Sequence, residues 1–314
     1  EVPLEKGRVT LVKSVLVTGA NSGLGKDCAR QLAMLGEIEK VYLGCRNPAR
    51  AEAAKAELEE VTGRKVFEIV VIDVTDLDSV RAAVQALPEP VDGVVMNAGG
   101  MGGQKANEKT QAGASFIFAV NVLGHSLLVD ELISAGKLTK VAVYAGSEAA
   151  RGVRIMMMAR PAFKNSTVDE FASVIDGSFF PANTDPMKSY GSIKYMAALW
   201  MSSMARKHPD IRFVTMSPGG TTGTNLVEDL NGVMRVMMEN VMMPMMGLFG
   251  VMHPLDVGAK RYVDALNDES YKTGVFYASE SGMSGKIVDQ STLFADLSNA
   301  AFQDNANEAI HRFL

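Results

Sequence analysis

The chain has 314 residues, of which 47% are hydrophobic and 21% charged, and its formal net charge is −5. These values are typical of a globular protein with a large core, and no basic run suggests a nucleic-acid partner. Two cysteines, Cys28 and Cys45, argue against a disulfide framework and favour a cytoplasmic location. We expect no signal peptide and no transmembrane segment, because the nearest candidate, Val233 to Met252, is broken by charged residues and a proline.

Short apolar runs alternate with helical patterns along the first half of the chain. The predicted strands are 14–17, 41–43, 67–72, 91–96 and 141–144. The predicted helices are 26–35, 48–61, 77–87 and 112–135. Continuous Val, Ile and Leu runs separated by helices are typical of a parallel sheet covered on both faces. The pattern therefore predicts an α/β protein with a Rossmann-type, doubly wound parallel sheet.

The second half continues this pattern more loosely. It adds a helix at 187–207 and strands at 212–216 and 274–278, which makes about seven strands. Two long interruptions, 148–186 and 218–253, are typical of functional insertions. We predict a single domain over 1–314. Its parts are a mainly cofactor-binding half at 8–147, an insertion at 148–186, a catalytic helix, loop and cap at 187–285, and a C-terminal tail at 286–314.

The turn after the first predicted strand is rich in glycine, running Thr18-Gly19-Ala20-Asn21-Ser22-Gly23-Leu24-Gly25. Glycines let a backbone approach a diphosphate without a Cβ clash, and the following helix offers unpaired N–H groups and a positive dipole end. The strand before the turn and the helix after it make this motif specific. The predicted cofactor contacts are Gly19, Asn21, Ser22, Gly23, Leu24 and Gly25.

The end of the second strand bears on which dinucleotide binds. A site that prefers NAD places an acidic residue there to accept hydrogen bonds from the ribose 2′-hydroxyl. Here the residues are Cys45 and Arg46. A thiol cannot take that role, whereas a guanidinium pairs well with a 2′-phosphate. We therefore predict NADP(H) as the cofactor, the alternative being that Arg46 is an ordinary surface residue.

A Tyr-x-x-x-Lys motif, Tyr190 and Lys194, lies near the start of the helix at 187–207. A spacing of four residues puts the phenol and the ammonium on one helical face. Reduction of a carbonyl requires a proton for the developing alkoxide, and a phenol with an ordinary pKa of about 10 exchanges poorly near neutrality. We expect the Lys194 cation to lower the pKa of Tyr190.

These motifs resemble those of the short-chain dehydrogenase/reductase family, whose Thr-Gly-x-x-x-Gly-x-Gly pattern matches Thr18 to Gly25 in full. The resemblance implies an exchange of hydride between nicotinamide and a carbonyl or alcohol. It implies that Ser147 bonds the substrate oxygen and that Asn121 anchors a water in a proton relay through Lys194. It also implies cofactor contacts at Asp73, Val74, Asn97, Ala98, Gly99, Tyr190, Lys194, Pro218, Gly219, Thr221 and Thr222.

Some positions depart from the family pattern. Gly146 stands where a serine is common, and the gap from Ser147 to Tyr190 is long, which leaves serines within the insertion as alternatives. These alternatives are Ser166, Ser173 and Ser178. The threonine of the loop after the sixth strand is also open, because Thr222 and Thr224 straddle its usual place. His125 is predicted to be a core histidine, and no serine occupies a nucleophile elbow that would indicate a hydrolase.

The nearest branch by resemblance is that of the retinol dehydrogenases and the light-dependent protochlorophyllide reductases. The latter carry a cysteine two residues after the lysine, where this chain has Met196, so we favour a dark carbonyl reductase or alcohol dehydrogenase. Two alternatives are a light-dependent C=C reductase and a non-catalytic NADPH-binding regulatory module.

The segment after the sixth strand is rich in methionine, with Met234, Met237, Met238, Met242, Met243, Met245, Met246 and Met252. Flexible thioethers adapt to irregular apolar shapes, so we predict a cap over a bulky hydrophobic carbonyl or alcohol substrate. The alternatives are that these methionines fill the core, form the contact of a homo-oligomer or touch a membrane surface. The residues suggest no metal site, because no cluster has zinc-ligand spacing.

Overall fold

The computed structural model describes residues 12–154, 158–182, 184–222 and 252–314. An eight-stranded sheet forms the centre, in the order β3-β2-β1-β4-β5-β6-β7-β8. Strands β1 to β7 are parallel and β8 is antiparallel to β7. The strands are β1 Ser14–Thr18, β2 Lys40–Cys45, β3 Phe67–Val71, β4 Val91–Met96, β5 Leu138–Ala145, β6 Arg212–Met216, β7 Val275–Ser279 and β8 Ile287–Asp289.

Helices cover both faces of the sheet. The described helices are α1 Gly23–Ala33, α2 Pro48–Thr62, α3 Leu77–Ala86, α4 Phe116–Ser134, α5 Val168–Asp176, α6 Pro186–Lys207, α7 Leu255–Asn267 and α8 Ala300–His311. Helices α1, α2 and α7 share one apolar core with the sheet. Helices α3, α4 and α6 share the core on the opposite face, and α5 and α8 pack outside α6. This arrangement confirms the predicted Rossmann-type α/β fold.

The strand predictions are confirmed where the apolar runs are continuous, because β1, β2, β4, β5 and β6 are mostly buried and their side chains carry a strong signal. Strand β3 buries only Phe67 and Val70. Three of the named helices and strands were not predicted. Helix α5, Val168–Asp176, lies in the segment that was predicted only as an insertion. Strand β8 has only three half-buried residues, too few for a pattern. Helix α7 was missed although Ala259, Tyr262, Val263 and Leu266 are buried at helical spacing.

Helix α4 was predicted to begin at 112 but begins at Phe116, and it contains a π-helical turn at Ala119–Leu123. The Asn121 side chain donates to the Ile117 carbonyl at 2.8 Å, the acceptor that a regular α-helix gives to the backbone N–H of residue 121. The turn leaves the Asn121 carbonyl free to accept from Tyr144 Oη at 3.0 Å. A predicted site residue thus lies at the irregular point of the helix.

The same helix is long and apolar enough to cross a membrane by length and composition, which corrects the expectation that the chain holds no such stretch outside 233–252. In the folded protein, 72% of its apolar window is buried. A helix that packs in the core of a folded domain can have the same length and apolar composition. The segment 233–251 lies outside the described residues.

The predicted insertion contains α5 and is fastened to the C-terminal tail. Arg160 donates both of its bonds to the Asp296 carboxylate, at 2.6 and 2.8 Å, and its guanidinium covers the ring of Phe294 at 4.3 Å. Asp296 also accepts from Tyr195 Oη of α6 at 2.6 Å. The insertion and the tail are therefore packed as part of the same domain, on the outside of α6.

Candidate active site

A cleft of about 620 Å³ runs along the carboxyl ends of the parallel strands. Its walls bring together most of the predicted site residues, from separate strand ends and from α6. The predicted residues that line it are Gly19, Asn21, Ser22, Gly23, Leu24, Arg46, Asp73, Val74, Asn97, Ala98, Gly99, Asn121, Ser147, Tyr190, Lys194, Pro218, Gly219 and Thr221. Gly25 and Thr222 were predicted as cofactor contacts but are not among its lining residues.

The glycine-rich turn is shaped by close backbone contacts. Gly19 has φ +67°, and its N–H donates to the Gly44 carbonyl at 2.7 Å, which fastens the turn to the end of β2. Gly25 faces inward, where a Cβ would overlap the Gly19 carbonyl and lie 2.5 Å from Asn97 Nδ2. Gly25 is therefore required for packing of the turn, whereas Gly19 and Gly23 lie at the cleft surface.

Thr18 and Asn97 join β1 to β4 underneath the cleft. The Thr18 hydroxyl accepts from the backbone N–H groups of Asn97 and Ala98, each at 2.9 Å, and Asn97 Nδ2 donates to the Thr18 carbonyl at 3.0 Å. The Thr18 hydroxyl also lies 3.0 Å from His125 Nε2. His125 is fully buried, and burial lowers its pKa to about 4, so the prediction of a neutral core histidine is confirmed.

Tyr190 and Lys194 share one face of α6, with the Lys194 ammonium 5.4 Å from the centre of the Tyr190 ring. Lys194 Nζ donates to the Ala145 carbonyl at 2.9 Å and to Tyr144 Oη at 3.1 Å. The Ser147 side chain is close enough to Tyr190 to lower the pKa of that phenol by a hydrogen bond. The structure thus places Ser147, Tyr190 and Lys194 at one end of the cleft.

Tyr144 is a candidate site residue that the sequence did not suggest. Its hydroxyl accepts from Lys194 Nζ and donates to the Asn121 carbonyl, so it connects two predicted catalytic residues directly. The resemblance implied a water between Asn121 and Lys194; here a phenol makes a link between them. A tyrosine inside an apolar strand looks like a core residue, and only the fold reveals its partners.

Burial governs the acid–base properties of this cluster. It raises the pKa of Tyr190 to about 12, against the opposing effect of Ser147, and lowers the pKa of Lys194 to about 7. The sequence led us to expect a lowered pKa for Tyr190. The direction is the reverse because desolvation penalises the charged form of both side chains more than a neighbouring charge favours it.

The far end of the cleft carries two arginines. The Arg46 side chain is 71% exposed, and its Nε lies 3.9 Å from the Asp73 carboxylate. Arg50 also lines the cleft from the first turn of α2, where its N–H donates to the capping Asn47 at 3.0 Å. Arg50 was not predicted; its position four residues after Arg46, beside a helix start, was the available signal. Cys45 lies beneath, and its thiol accepts from the backbone N–H groups of Ala20 and Asn21.

The loop after β6 lies at the end of the cleft that is opposite to the two arginines. Gly219 has φ +76° and, with Pro218 and Thr221, lines the cleft. Thr222 instead pairs with the start of α7, its N–H donating to the His253 carbonyl at 3.0 Å. Of the two open threonine positions, Thr222 therefore does not line the cleft and Thr224 lies outside the described residues, whereas Thr221, a separate predicted contact, does line it. None of the alternative serines, Ser166, Ser173 and Ser178, lines the cleft.

Part of the cleft lining is apolar. It includes Met101, Phe116, Val153, Met158, Met187, Met252 and Met283. Five of these seven residues are methionines, four of which the sequence analysis did not select. The predicted methionine cap can be judged only at Met252, since 223–251 lies outside the described residues.

The sequence has recognisable relatives. Residues 13–163 match the family model described as short chain dehydrogenase. Retinol dehydrogenase 14 of Homo sapiens is 40% identical over 138 residues, which are 38% of this chain and 40% of that protein. The short-chain dehydrogenase/reductase prx1 of Penicillium roqueforti is 30% identical over 214 residues, 66% of this chain and 57% of that protein. The chain spans less than two thirds of the length of either relative.

Solved structures share the fold. Salutaridine reductase from Papaver somniferum aligns with a TM-score of 0.60 at 17% identity, covering 84% of this chain and 99% of that one. L-sorbose reductase from Gluconobacter frateurii, determined with NADPH and L-sorbose, gives 0.59 at 17% identity, covering 87% and 96%. With the family match over 13–163, these findings confirm the predicted resemblance: the chain is similar to the short-chain dehydrogenase/reductase family and, over 38% of its length, to human retinol dehydrogenases 14 and 11.

The lowered pKa of Lys194 predicts a stability cost that depends on pH. Between about pH 7 and 10.5 the unfolded chain binds a proton at this lysine that the folded chain does not, so stability falls as the pH decreases through that window. We expect Lys194→Met to raise the free energy of unfolding at pH 7 by roughly 1–4 kcal/mol, with the gain shrinking towards pH 10.

Urea unfolding of the cofactor-free protein at several pH values measures this effect. Lys260→Met, at a lysine whose side chain is 64% exposed, serves as the control and should give no comparable gain. A Lys194→Met protein that is less stable at pH 7, or whose difference does not change with pH, would contradict the argument.

Proposed function

We propose that this protein is an NADP(H)-dependent oxidoreductase that exchanges a hydride between nicotinamide and a carbonyl or alcohol of an apolar substrate. The observation that carries the proposal is the convergence of Ser147, Tyr190 and Lys194 at one end of a cleft. The other end holds the glycine-rich turn and two arginines. A hydride donor that spans the cleft would bring its reactive ring to the phenol.

The cleft suits a phosphorylated dinucleotide. Gly19 and Gly23, both with positive φ, allow a diphosphate to approach the backbone at the start of α1. Arg46 and Arg50 offer guanidinium groups to a 2′-phosphate, and NADPH, when bound, supplies the hydride. L-sorbose reductase, which shares the fold, was determined with NADPH, which supports the same cofactor here.

The proton is assigned to Tyr190. In the direction of reduction, the phenol donates it to the carbonyl oxygen as the hydride reaches the carbon, and Ser147 holds that oxygen by a hydrogen bond. Lys194, positioned by Ala145 and Tyr144, is the cation beside the phenolate that this transfer forms. The pKa of Tyr190, about 12 in the buried cluster, makes this cation necessary near neutral pH.

We expect NADPH to be preferred over NADH, and Arg46→Ala to weaken that preference about ten- to hundredfold in kcat/KM, because a charged contact with the 2′-phosphate contributes roughly 1.5–3 kcal/mol. Arg81→Ala is a matched control on an exposed helix arginine that does not line the cleft. Equal use of both cofactors by the unmutated protein would refute the assignment of Arg46.

Tyr190→Phe removes the proton donor and keeps the ring. NADPH binding and thermal stability should persist, while turnover should fall by about 10²–10⁴-fold. Tyr195→Phe is the matched control, since this tyrosine is the next one on α6 and bonds Asp296 outside the cleft. Retention of a third of the activity in Tyr190→Phe would assign the proton to another group.

Assays with a panel of aldehydes and ketones also separate the alternatives. Turnover that requires light would favour a C=C reductase. NADPH binding with no turnover of any carbonyl would favour a regulatory module.

The apolar lining predicts that kcat/KM rises with the apolar area of the carbonyl compound, by up to about 0.8 kcal/mol for each methylene buried. Met283→Ser should weaken large substrates much more than small ones, because Met283 lies in the cleft against Gly220. Met34→Ser, at a 59% exposed methionine outside the cleft, should leave both unchanged. An equal loss for large and small substrates would place the binding surface elsewhere.

A further inference from the structure

A buried ion cluster lies behind the loop that follows β6. At its centre is the Glu148 carboxylate, which is 5% exposed. Arg151 Nε lies 2.5 Å from Glu148 Oε2, and Arg261 Nη1 lies 3.8 Å from Oε1. Taking three charged groups out of water is costly, and such clusters are weak contributors to stability. A role other than stability therefore needs to be considered for Glu148.

Glu148 fixes the orientation of Ser217. Its Oε1 accepts from the Ser217 hydroxyl and from the Ser279 N–H, each at 3.0 Å. The same hydroxyl accepts from the Gly219 N–H at 3.1 Å, and Arg261 donates to the Ser217 carbonyl at 3.2 Å. The carboxylate is thus one hydrogen-bonded residue away from Gly219, whose backbone lines the cleft.

Glu148 also belongs to the turn that carries Ser147. It begins a 3₁₀ turn, Glu148–Arg151, and the Ser147 hydroxyl caps that turn by accepting from the Ala149 N–H at 3.2 Å. Arg151, the last residue of the turn, pairs with Glu148 and donates to the Gly282 carbonyl in the connection between β7 and β8. One side chain therefore connects the ends of β5, β6 and β7.

We infer that Glu148 is a positioning residue, which holds the loop 217–221 against the Ser147 turn so that a bound dinucleotide and the substrate oxygen meet in the correct geometry. The inference rests on the proposed function, because it assigns the loop to the nicotinamide end and Ser147 to the substrate oxygen. It adds Glu148, a cleft-lining residue that acts on the loop through Ser217.

Ser217→Ala tests this link without leaving a buried charge unpaired, because Glu148 keeps Arg151 and the Ser279 N–H. Ser203→Ala is the matched control: its hydroxyl is also fully buried and donates to a carboxylate, Asp304 at 2.7 Å, on the outer side of α6. Both variants should lose a similar amount of thermal stability. Only Ser217→Ala should raise the Kd for NADPH, by roughly five- to fiftyfold, and lower kcat.

A double-mutant cycle connects the effect to Glu148. On a Glu148→Gln background, Ser217→Ala should change the Kd for NADPH by less than twofold, because the link is already weakened. Additive effects on the Kd would show that Ser217 acts independently of Glu148. If Ser217→Ala changed the Kd for NADPH and kcat no more than Ser203→Ala does, the cluster would have only a structural role. Either result overturns the inference while the proposed function stands. Failure of the unmutated protein to bind NADPH would overturn both.

Discussion

The hydrogen bonds between Thr18 and Asn97 hold the site together. They join β1 and β4, the neighbours in the sheet at which the strand order reverses. At such a reversal the connections leave in opposite directions, and a crevice opens beyond the carboxyl ends of the strands. The glycine-rich turn lies on one side of this point and the strand ends that carry Ser147 and Ser217 on the other. The two sides of the cleft therefore meet where β1 pairs with β4.

The cleft contains polar groups that a stable core would avoid. Tyr144, Lys194 and Glu148 are all buried, and burial moves the pKa of Tyr190 and Lys194 in opposite directions, to about 12 and about 7. Both groups are then mainly neutral above pH 7, and an anionic dinucleotide would shift Lys194 towards its charged form. In the proposed function, this arrangement costs stability of the free protein and gives a proton donor whose strength depends on what is bound.

The sequence predicted those parts of the molecule that are specified by residues close together in the chain. The glycine spacing, the Tyr190–Lys194 spacing and the runs of β1 to β6 are repeated local signals, so the fold and most of the cleft were predictable. Tyr144, Arg50 and Glu148 were not, because their importance comes from partners distant in the chain, such as Asn121 for Tyr144 and Ser217 for Glu148. The reversed pKa shift of Tyr190 was missed for the same reason, since burial is a property of the fold.

Gly146 departs from the family pattern at the end of β5, next to the turn that carries Ser147 and Glu148. The position is commonly serine in the family, yet a Cβ here would lie 3.0 Å from Thr215 Cγ2 and 3.1 Å from Phe276 Cε2. The absence of a side chain lets the end of β5 approach β6 and β7, and the Gly146 N–H donates to the Met216 carbonyl at 2.9 Å. That close approach brings Glu148 within reach of Ser217 and Ser279. Gly146 and Glu148 therefore both connect the end of β5 to β6 and β7, the glycine by close backbone approach and the carboxylate by hydrogen bonds.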